Sequence, residues 1–459
     1  MLRSKRKLPG FYSLIFSLSI PIILQNLMQT FINMLDTIMV GRLGAVEIAS
    51  VGLGNQIYFM MIMVIFGITS GGAIFISQFW GQNNIKGIRH TTGIMNLLAL
   101  CVSVLFMVTA LFWPEFLLSL YSKDSAVIEQ GAHYLRIVAL SYPLNAVSFS
   151  FQMSFRSTEH VYLPMACTGV SLVLNALLNF VLIFGIQAHF GSFEVAVPAL
   201  GTLGAALATL ISRLVEFFIV IFYSYSHKFE CCGSIKEMLS FDFLFVKKIF
   251  KVAIPVIISE TLWGLGITFQ NGIYARTGTD VIAAFNIMNT VSQLTWVFFI
   301  GMGNASAIIL GKKIGSGQTD EAHAYAARFC WFMPLSGAVI ALLLFPISFL
   351  LPHIFNVDNS IILIARSMMY VLICVYPLRA FNMLLIVGIC RAGGDTLFGM
   401  IDDNGCMWLI SIPLGFAAAF FWKFSPWLIM LCLESEQLVK ASFGLWRIKT
   451  GKWLHNLTE

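Results

Sequence analysis

Apolar residues follow one another along the chain in blocks of twenty or more, and short polar loops separate the blocks. A helix needs about 20 apolar residues to cross the hydrocarbon core of a bilayer. The pattern predicts twelve such helices at 11–40, 49–79, 91–113, 131–153, 162–186, 199–224, 249–274, 281–311, 324–350, 361–388, 397–421 and 426–446. We therefore expect an all-α membrane protein with twelve transmembrane helices.

The composition agrees with this pattern. The 459 residues are 58% hydrophobic and 11% charged, whereas a soluble domain has about 25% charged residues. The mean hydropathy is +0.84. A secretory signal peptide is not expected, because the first apolar block runs some thirty residues without a small-residue cleavage site after it.

The second half of the chain repeats the first at an offset of 234 residues. At this offset Pro21 meets Pro255, Arg42 meets Arg276, and the triplet beginning at Tyr142 meets the one beginning at Tyr376. After a one-residue insertion, Arg156 lies against Arg391. Prolines, arginines and a triplet in one register indicate an internal duplication.

The duplication predicts two six-helix lobes. Because six is an even number, both halves have the same orientation, and a pseudo-two-fold axis along the membrane normal should relate them. We predict an N-terminal lobe at 1–224, a cytoplasmic linker at 225–248, and a C-terminal lobe with a cytoplasmic tail at 249–459. Since one chain contains both lobes, a monomer is expected.

The distribution of positive charge predicts the orientation. If the N-terminal basic residues are cytoplasmic, 20 of the 28 Lys and Arg lie in cytoplasmic segments, four in external loops and four in helices. This asymmetry obeys the positive-inside rule with both termini cytoplasmic. We expect a multi-pass protein of the cytoplasmic (inner) membrane, surrounded by its lipids.

Asp36 is the one charged residue between positions 11 and 40. At 100° per residue, Gln25, Gln29, Asn33 and Asp36 fall within roughly 80° of one another on the helix. A carboxylate at membrane depth costs several kcal/mol unless it faces protein or water, and such a residue is therefore a candidate functional group. This face predicts the wall of a polar cavity.

The fifth predicted helix carries Asn175 and Asn179, one turn apart on one face. Their carbonyl oxygens could bind a hard cation, or their amides could bond a protonated Asp36. Asp36, Asn175 and Asn179 are thus a candidate Na⁺ site. The alternative is that both amides join neighbouring helices, as polar side chains in membranes commonly do.

The second half has its own acid at membrane depth, Glu260. Glu260 is a further candidate for coupling a cation. Trp263 and Asn271 share its helical face, and together with Asn289 on the eighth predicted helix they are candidate residues of the substrate cavity. The repeat partner of Asp36 is Gln270, so the two halves are not chemically equivalent. Helix-to-helix contact remains the alternative for Asn289.

Enzyme and cofactor motifs are missing from the sequence. It contains no Walker A, HExxH or GxSxG pattern. Nine cysteines lie mostly in apolar blocks without a CxxC pair, as expected of small core residues. We predict neither an enzyme nor a cofactor, and no nucleic-acid partner.

Over nearly its whole length the chain resembles the bacterial MATE (multidrug and toxic compound extrusion) transporters, in their DinF and NorM branches. The resemblance is carried by Asp36-Thr-Ile-Met-Val-Gly-Arg-Leu-Gly44, Gln78-Phe-Trp-Gly81-Gln, Asn175 with Asn179, Ile254-Pro255 with Glu260 and Trp263, Arg391-Ala-Gly-Gly-Asp395-Thr, and Lys452-Trp453. It implies export of drugs, dyes and other organic, often cationic, compounds by Na⁺ or H⁺ antiport with alternating access.

The resemblance also implies roles for single residues. Asp36 matches the carboxylate to which the DinF branch binds its coupling ion, and Asn175 and Asn179 match positions around it. Some relatives carry Asp where this chain has Asn179. Glu260 resembles the acid of the NorM branch but stands nearer the proline.

Three alternative functions predict different patterns in the sequence. A flippase for lipid-linked precursors shares the repeat but should line its cleft with cations for phosphate, whereas few arginines lie within the predicted helices. A membrane-embedded enzyme should show clustered catalytic groups. A passive channel should show a polar stripe in most helices.

Overall fold

The computed structural model describes residues 10–190, 193–240, 242–355 and 357–459. The basic residues at positions 3–7, on which the predicted orientation partly rests, lie outside the described residues, as does Phe241 in the predicted linker.

Helices account for most of the first half. They are α1 (Phe11–Gly41), α2 (Ala45–Gly81), α3 (Ile85–Phe112), α4 (Pro114–Ser119), α5 (Ser125–Ala139), α6 (Tyr142–Ser157), α7 (Tyr162–Phe184), α8 (Thr202–Ser226) and α9 (Ile235–Met238). Between α7 and α8, strands β1 (Ile186–Phe190) and β2 (Phe193–Val197) pair antiparallel, a hairpin that the sequence pattern did not predict.

The second half is built in the same way. Its helices are α10 (Phe243–Thr277), α11 (Thr279–Gly315), α12 (Thr319–Ile354), α13 (Asn359–Met383), α14 (Thr396–Cys406), α15 (Ile412–Phe416), α16 (Pro426–Glu434) and α17 (Glu436–Thr450). Three π-helical segments, Leu384–Cys390, Met407–Ser411 and Ala417–Phe421, extend α13, α14 and α15.

Among the described residues, ten helical stretches are long and apolar enough to cross a membrane. They match ten of the twelve predicted spans. The fourth span is divided between α5 and α6, where Pro143 lacks an N–H and disfavours a helical residue before it. The twelfth is divided between α16 and α17 at Ser435. At the repeat-related position, Pro377 lies inside the unbroken α13.

Two compact units are defined by their contacts. The N-terminal unit contains Leu24–Ile76 and Asn84–Lys248, and the C-terminal unit contains the described residues up to Ile23, Ser77–Asn83 and Ile249–Glu459. The boundaries thus differ from the predicted lobes at the start of α1 and the end of α2. A long helix can supply contacts to one unit with one end and to the other unit with the other end, which the repeat register does not reveal.

Each unit has its own apolar core. Tyr142 is buried in the core of the N-terminal unit with Met61 and Leu135. Its repeat partner Tyr376 is buried in the core of the C-terminal unit with Phe299. The duplicated tyrosine therefore has the same packing role in both halves.

The ends of α2 and α11 meet within the C-terminal unit. Gly81 lies against the backbone carbonyl of Lys312, and its repeat partner Gly315 lies against the carbonyl of Gln78. A Cβ at either position would collide with main-chain atoms, which cannot move aside as a flexible side chain can. Glycine is required there by close approach.

The turn after the π-helical segment Leu384–Cys390 is held by hydrogen bonds from two directions. Gln78 donates from Nε2 to the carbonyl of Ala392 at 3.0 Å, and its Oε1 accepts from the backbone N–H of Leu457 at 2.8 Å. Arg447 binds Asp395 through two bonds of 2.7 and 3.0 Å. The Arg391–Asp395 segment is a tight turn, with Gly394 at a φ of +71°.

Candidate functional site

Asp36 contacts the fifth predicted helix within the N-terminal unit. Asn179 on α7 donates from Nδ2 to Asp36 Oδ1 at 2.5 Å, and the same amide donates to Asn175 Oδ1 at 3.1 Å. Asn175 and Asn179 are buried, and Asp36 is half-buried. The three residues that the sequence selected for this site are therefore in one cluster.

One atom of this cluster is unsatisfied. The Oδ1 atom of Asn179 is buried and has no hydrogen-bond partner among the described residues. A buried carbonyl oxygen without a partner is costly, which marks the site as suited to a further ligand. Asp36 and the oxygens of Asn175 and Asn179 are the hard donor set that suits an alkali or alkaline-earth cation.

Positive charge acts on Asp36 from α8. Arg213 interacts with Asp36 electrostatically and pairs with Glu216 at 2.8 Å. Among the described residues, the salt bridge of Arg213 is with Glu216 and not with Asp36. The carboxyl of Asp36 is thus left available to a cation or a proton.

A polar network anchors α1 at Gln25, eleven residues before Asp36. Arg156 donates to Gln25 Oε1 from Nε at 3.1 Å and from Nη2 at 2.6 Å. Gln25 donates in turn to Gln152 at 2.8 Å, and Gln152 to Glu216 at 2.9 Å. These bonds join α1, α6 and α8 within the N-terminal unit.

Gln25 is 4% exposed, and its amide is fully engaged in this network. Gln29 is half-buried and Asn33 is exposed. Of the three residues predicted to line a cavity on α1, only Gln29 and Asn33 have surface to offer to a substrate.

Glu260 in the C-terminal unit has a different environment from Asp36. It accepts a hydrogen bond from Arg391 Nη2 at 2.5 Å, so a full positive charge neutralises it. Trp263, one turn along α10, stacks on Trp296 with ring centroids 6.3 Å apart. Asn271 and Asn289 are half-buried.

Two further sets of charged residues were not recognised in the sequence. Arg379 pairs with Glu434 inside the C-terminal unit. Lys440 on α17 lies between Asp403 and Glu436, close to Asp402. The signal was present as a Glu and a Lys four residues apart in the twelfth apolar block and two adjacent acids in the eleventh.

Apolar helices of membrane-spanning length, with polar side chains clustered at membrane depth, define a multi-pass membrane protein of the transporter class. The MatE family model matches the chain twice, at residues 21–181 and 255–417. The chain belongs to the MatE family, a family of multidrug efflux transporters and not of enzymes. The two matches begin 234 residues apart, in agreement with the predicted duplication.

Similar proteins cover nearly the whole chain. The probable multidrug resistance protein YoeA of Bacillus subtilis (strain 168) is 24% identical over 92% of this chain and 90% of its own length. The probable multidrug resistance protein NorM of Thermotoga maritima is 24% identical over 98% and 94%. A mutant form of the Vibrio cholerae MATE transporter VcmN, 17% identical, superposes with a TM-score of 0.86 over 98% of this chain and 99% of its own. This likeness confirms the predicted fold class, an all-α membrane protein of twelve helices in two lobes.

Proposed function

We propose that this protein is an antiporter that exports organic, often cationic, compounds in exchange for Na⁺ or H⁺ by alternating access. The observation that carries the proposal is the cluster of Asp36, Asn175 and Asn179. It combines an acid that no basic residue pairs with in the part of the chain described and a buried amide oxygen that has no partner. Such a group is suited to take up and release a cation.

Cation binding would change the contact between α1 and α7. The Asn179 amide now presents its Nδ2 to Asp36, whereas a metal ion would require its Oδ1. A proton on Asp36 would likewise convert an acceptor oxygen into a donor. Either ligand therefore weakens the present hydrogen bond, and α1 can adjust its packing at this end.

The other end of the α1 segment in the N-terminal unit stays anchored. Gln25 lies eleven residues before Asp36, roughly 16 Å along a helix. Its bonds to Arg156 contain no group that the coupling ion would titrate. The ion would thus move α1 near Asp36 while Gln25 remains fixed.

We assign the substrates to small organic molecules. The side chains proposed to receive them are Gln29 and Asn33 in the N-terminal unit and, separately, Trp263, Asn271 and Asn289 in the C-terminal unit. Half-buried aromatic and amide groups suit flat organic cations, because aromatic faces attract positive charge. By linkage, the coupling ion and the substrate must disfavour each other by the same factor.

A flippase for lipid-linked precursors fits the charges less well. Such a substrate carries phosphates and needs available cations. Among the arginines at membrane depth, Arg213, Arg379 and Arg391 each pair with a glutamate. These pairs leave little positive charge to hold a phosphate.

The experiment is transport in vesicles that contain the purified protein. A fluorescent cationic dye would be followed while a sodium gradient and a proton gradient are imposed and collapsed separately. We expect dye movement to follow one of the gradients in the wild type and to be lost in Asp36→Asn, which removes the charge but keeps the shape.

The matched control is Asp280→Asn, the same change at an exposed acid at the start of α11. It should transport like the wild type. Retained gradient-driven transport in Asp36→Asn would refute the role of Asp36. Dye movement indifferent to both gradients would indicate a channel.

We further propose that the protein lies in the cytoplasmic membrane as a monomer with both termini on the cytoplasmic side. The support is the concentration of Lys and Arg in one set of loops and the presence of both halves in one chain. A fluorescent protein that matures only in the cytoplasm, fused to either end, should fluoresce in both fusions.

A further inference from the structure

Four charged side chains lie together inside the C-terminal unit. Asp402 and Asp403 are on α14, and Glu436 and Lys440 are on α17. Asp402 is 5%, Glu436 4% and Lys440 3% exposed. The proposed coupling site uses none of these residues, and charged groups so deeply buried require an explanation.

Lys440 is shared between two of the acids. Its Nζ donates to Asp403 Oδ1 at 2.8 Å and to Glu436 Oε1 at 3.0 Å. Gln437 adds a further bond to the same Glu436 oxygen at 3.1 Å. Asp403 and one oxygen of Glu436 are therefore satisfied.

Asp402 is left out of this arrangement. Its Oδ2 is buried without a hydrogen-bond partner among the described residues, and so is Oε2 of Glu436. Each carboxylate oxygen can accept hydrogen bonds, and an ionised one without a donor in a dry interior is strongly disfavoured. This cluster thus contains two buried acceptor atoms, Asp402 Oδ2 and Glu436 Oε2, to which no described residue donates a hydrogen bond.

The charges do not balance. With every acid ionised, three carboxylates would face one ammonium group. Among the described residues, the nearby arginines are engaged elsewhere, Arg447 on α17 by Asp395 and Arg391 by Glu260, while Cys390 and Cys406 carry no charge as thiols. Repulsion among the acids and burial both favour adding a proton.

We propose that this cluster is a proton-binding site, with the proton held on the carboxyl of Asp402. A neutral Asp402 removes one negative charge and supplies an O–H donor where acceptors lack one. The site lies on α14 and α17, apart from the coupling carboxyl Asp36 on α1, and would give the C-terminal unit a proton of its own. It goes beyond the proposed antiport, because it would exist whichever ion Asp36 binds.

The test is infrared difference spectroscopy of the full-length protein in lipid vesicles, with the probe being the proton itself. All samples carry Asp36→Asn, so that Asp36 cannot contribute to the signal of protonated carboxyls. We expect one protonated carboxyl at neutral pH, whose infrared band disappears as the carboxyl loses its proton when the pH is made strongly alkaline.

Adding Asp402→Asn should abolish this signal and the release of that proton. Asp403→Asn is the matched control: it changes the adjacent acid, which accepts a hydrogen bond from Lys440, and should keep the signal. The proposal fails if the Asp36→Asn protein has no such carboxyl, if Asp402→Asn leaves the signal unchanged, or if only Glu436→Gln removes it. The first of these outcomes is measured on the Asp36→Asn protein, in which the cluster is unaltered. It therefore does not depend on whether a variant of the cluster folds.

Loss of dye transport in Asp36→Asn bears on the proposed antiport alone. The spectroscopic signal bears on Asp402 alone. The two proposals can therefore fail independently.

Discussion

Arg391 binds Glu260 in the C-terminal unit, whereas its repeat partner Arg156 binds the neutral amide of Gln25 in the N-terminal unit. Duplicated arginines thus contact the first helix of each half near the same height, but only one of them meets an acid. The two halves therefore share this contact between an arginine and the first helix, but they differ in the charge of the residue that the arginine binds.

We predict that Glu260→Gln lowers stability more than it lowers transport. The variant leaves Arg391 with a neutral acceptor in place of a carboxylate, at a cost of about 1–3 kcal/mol. Thermal unfolding in detergent and initial dye transport rates measure the two effects. Asp36→Asn should give the opposite pattern, and a complete loss of transport in a stable Glu260→Gln protein would contradict this interpretation.

Gln25→Ala should destabilise the protein by about 3 kcal/mol, because the buried Arg156 loses both of its hydrogen bonds to Gln25 at once. Gln29→Ala, one helical turn further along α1, is the control and should change the stability by less than about 0.5 kcal/mol. Chemical or thermal unfolding of the purified variants provides the measurement. Equal effects at the two positions would mean that the network does not anchor α1.

Asn179→Asp should tighten cation binding at Asp36. Two carboxylates in contact repel each other, and a proton or metal ion between them relieves this repulsion. The affinity of the site for the coupling ion should therefore rise by at least tenfold, about 1.4 kcal/mol. The half-saturating concentration of the coupling ion, from initial rates, should fall accordingly. Asn179→Ala, which removes the donor without adding charge, should not tighten it, and an unchanged value in Asn179→Asp would exclude the contact with Asp36 during transport.

Gly81→Ala should destabilise the C-terminal unit by at least about 1–3 kcal/mol, because the added methyl meets the backbone of α11. Gly315→Ala should behave alike from the other side of the same contact. Gly272→Ala is the control: nothing lies within 4 Å of its added Cβ, and alanine should stabilise the helix by roughly 0.5–1 kcal/mol. The unfolding temperature should therefore fall in Gly81→Ala and Gly315→Ala and should not fall in Gly272→Ala.

The sequence predicted the helices better than their interruptions. Length and hydropathy are properties of single segments, so the positions of most spans followed from them. The break at Ser435 and the hairpin Ile186–Val197 depend on local packing that hydropathy does not record.

The candidate site was predicted in part. Helical periodicity indicated that Asp36 shares a polar face with Gln25 and Asn33, and the one-turn spacing on the fifth predicted helix selected Asn175 and Asn179. Which faces meet is decided by tertiary packing, so the engagement of Gln25 by Arg156, 131 residues away, could not be predicted. The repeat register that aligned Arg156 with Arg391 was the available signal.

The first turns of α1 have a consequence for how the protein is made. Phe11 packs on Phe329 with ring centroids 5.0 Å apart, and Ile23 lies against Gly301. The ribosome adds these partners about 300 residues after α1. During biosynthesis the first turns of α1 must therefore remain in lipid or on an insertion chaperone. A nascent chain stalled midway would expose a surface on α1 that is covered only after Gly301 and Phe329 have been added.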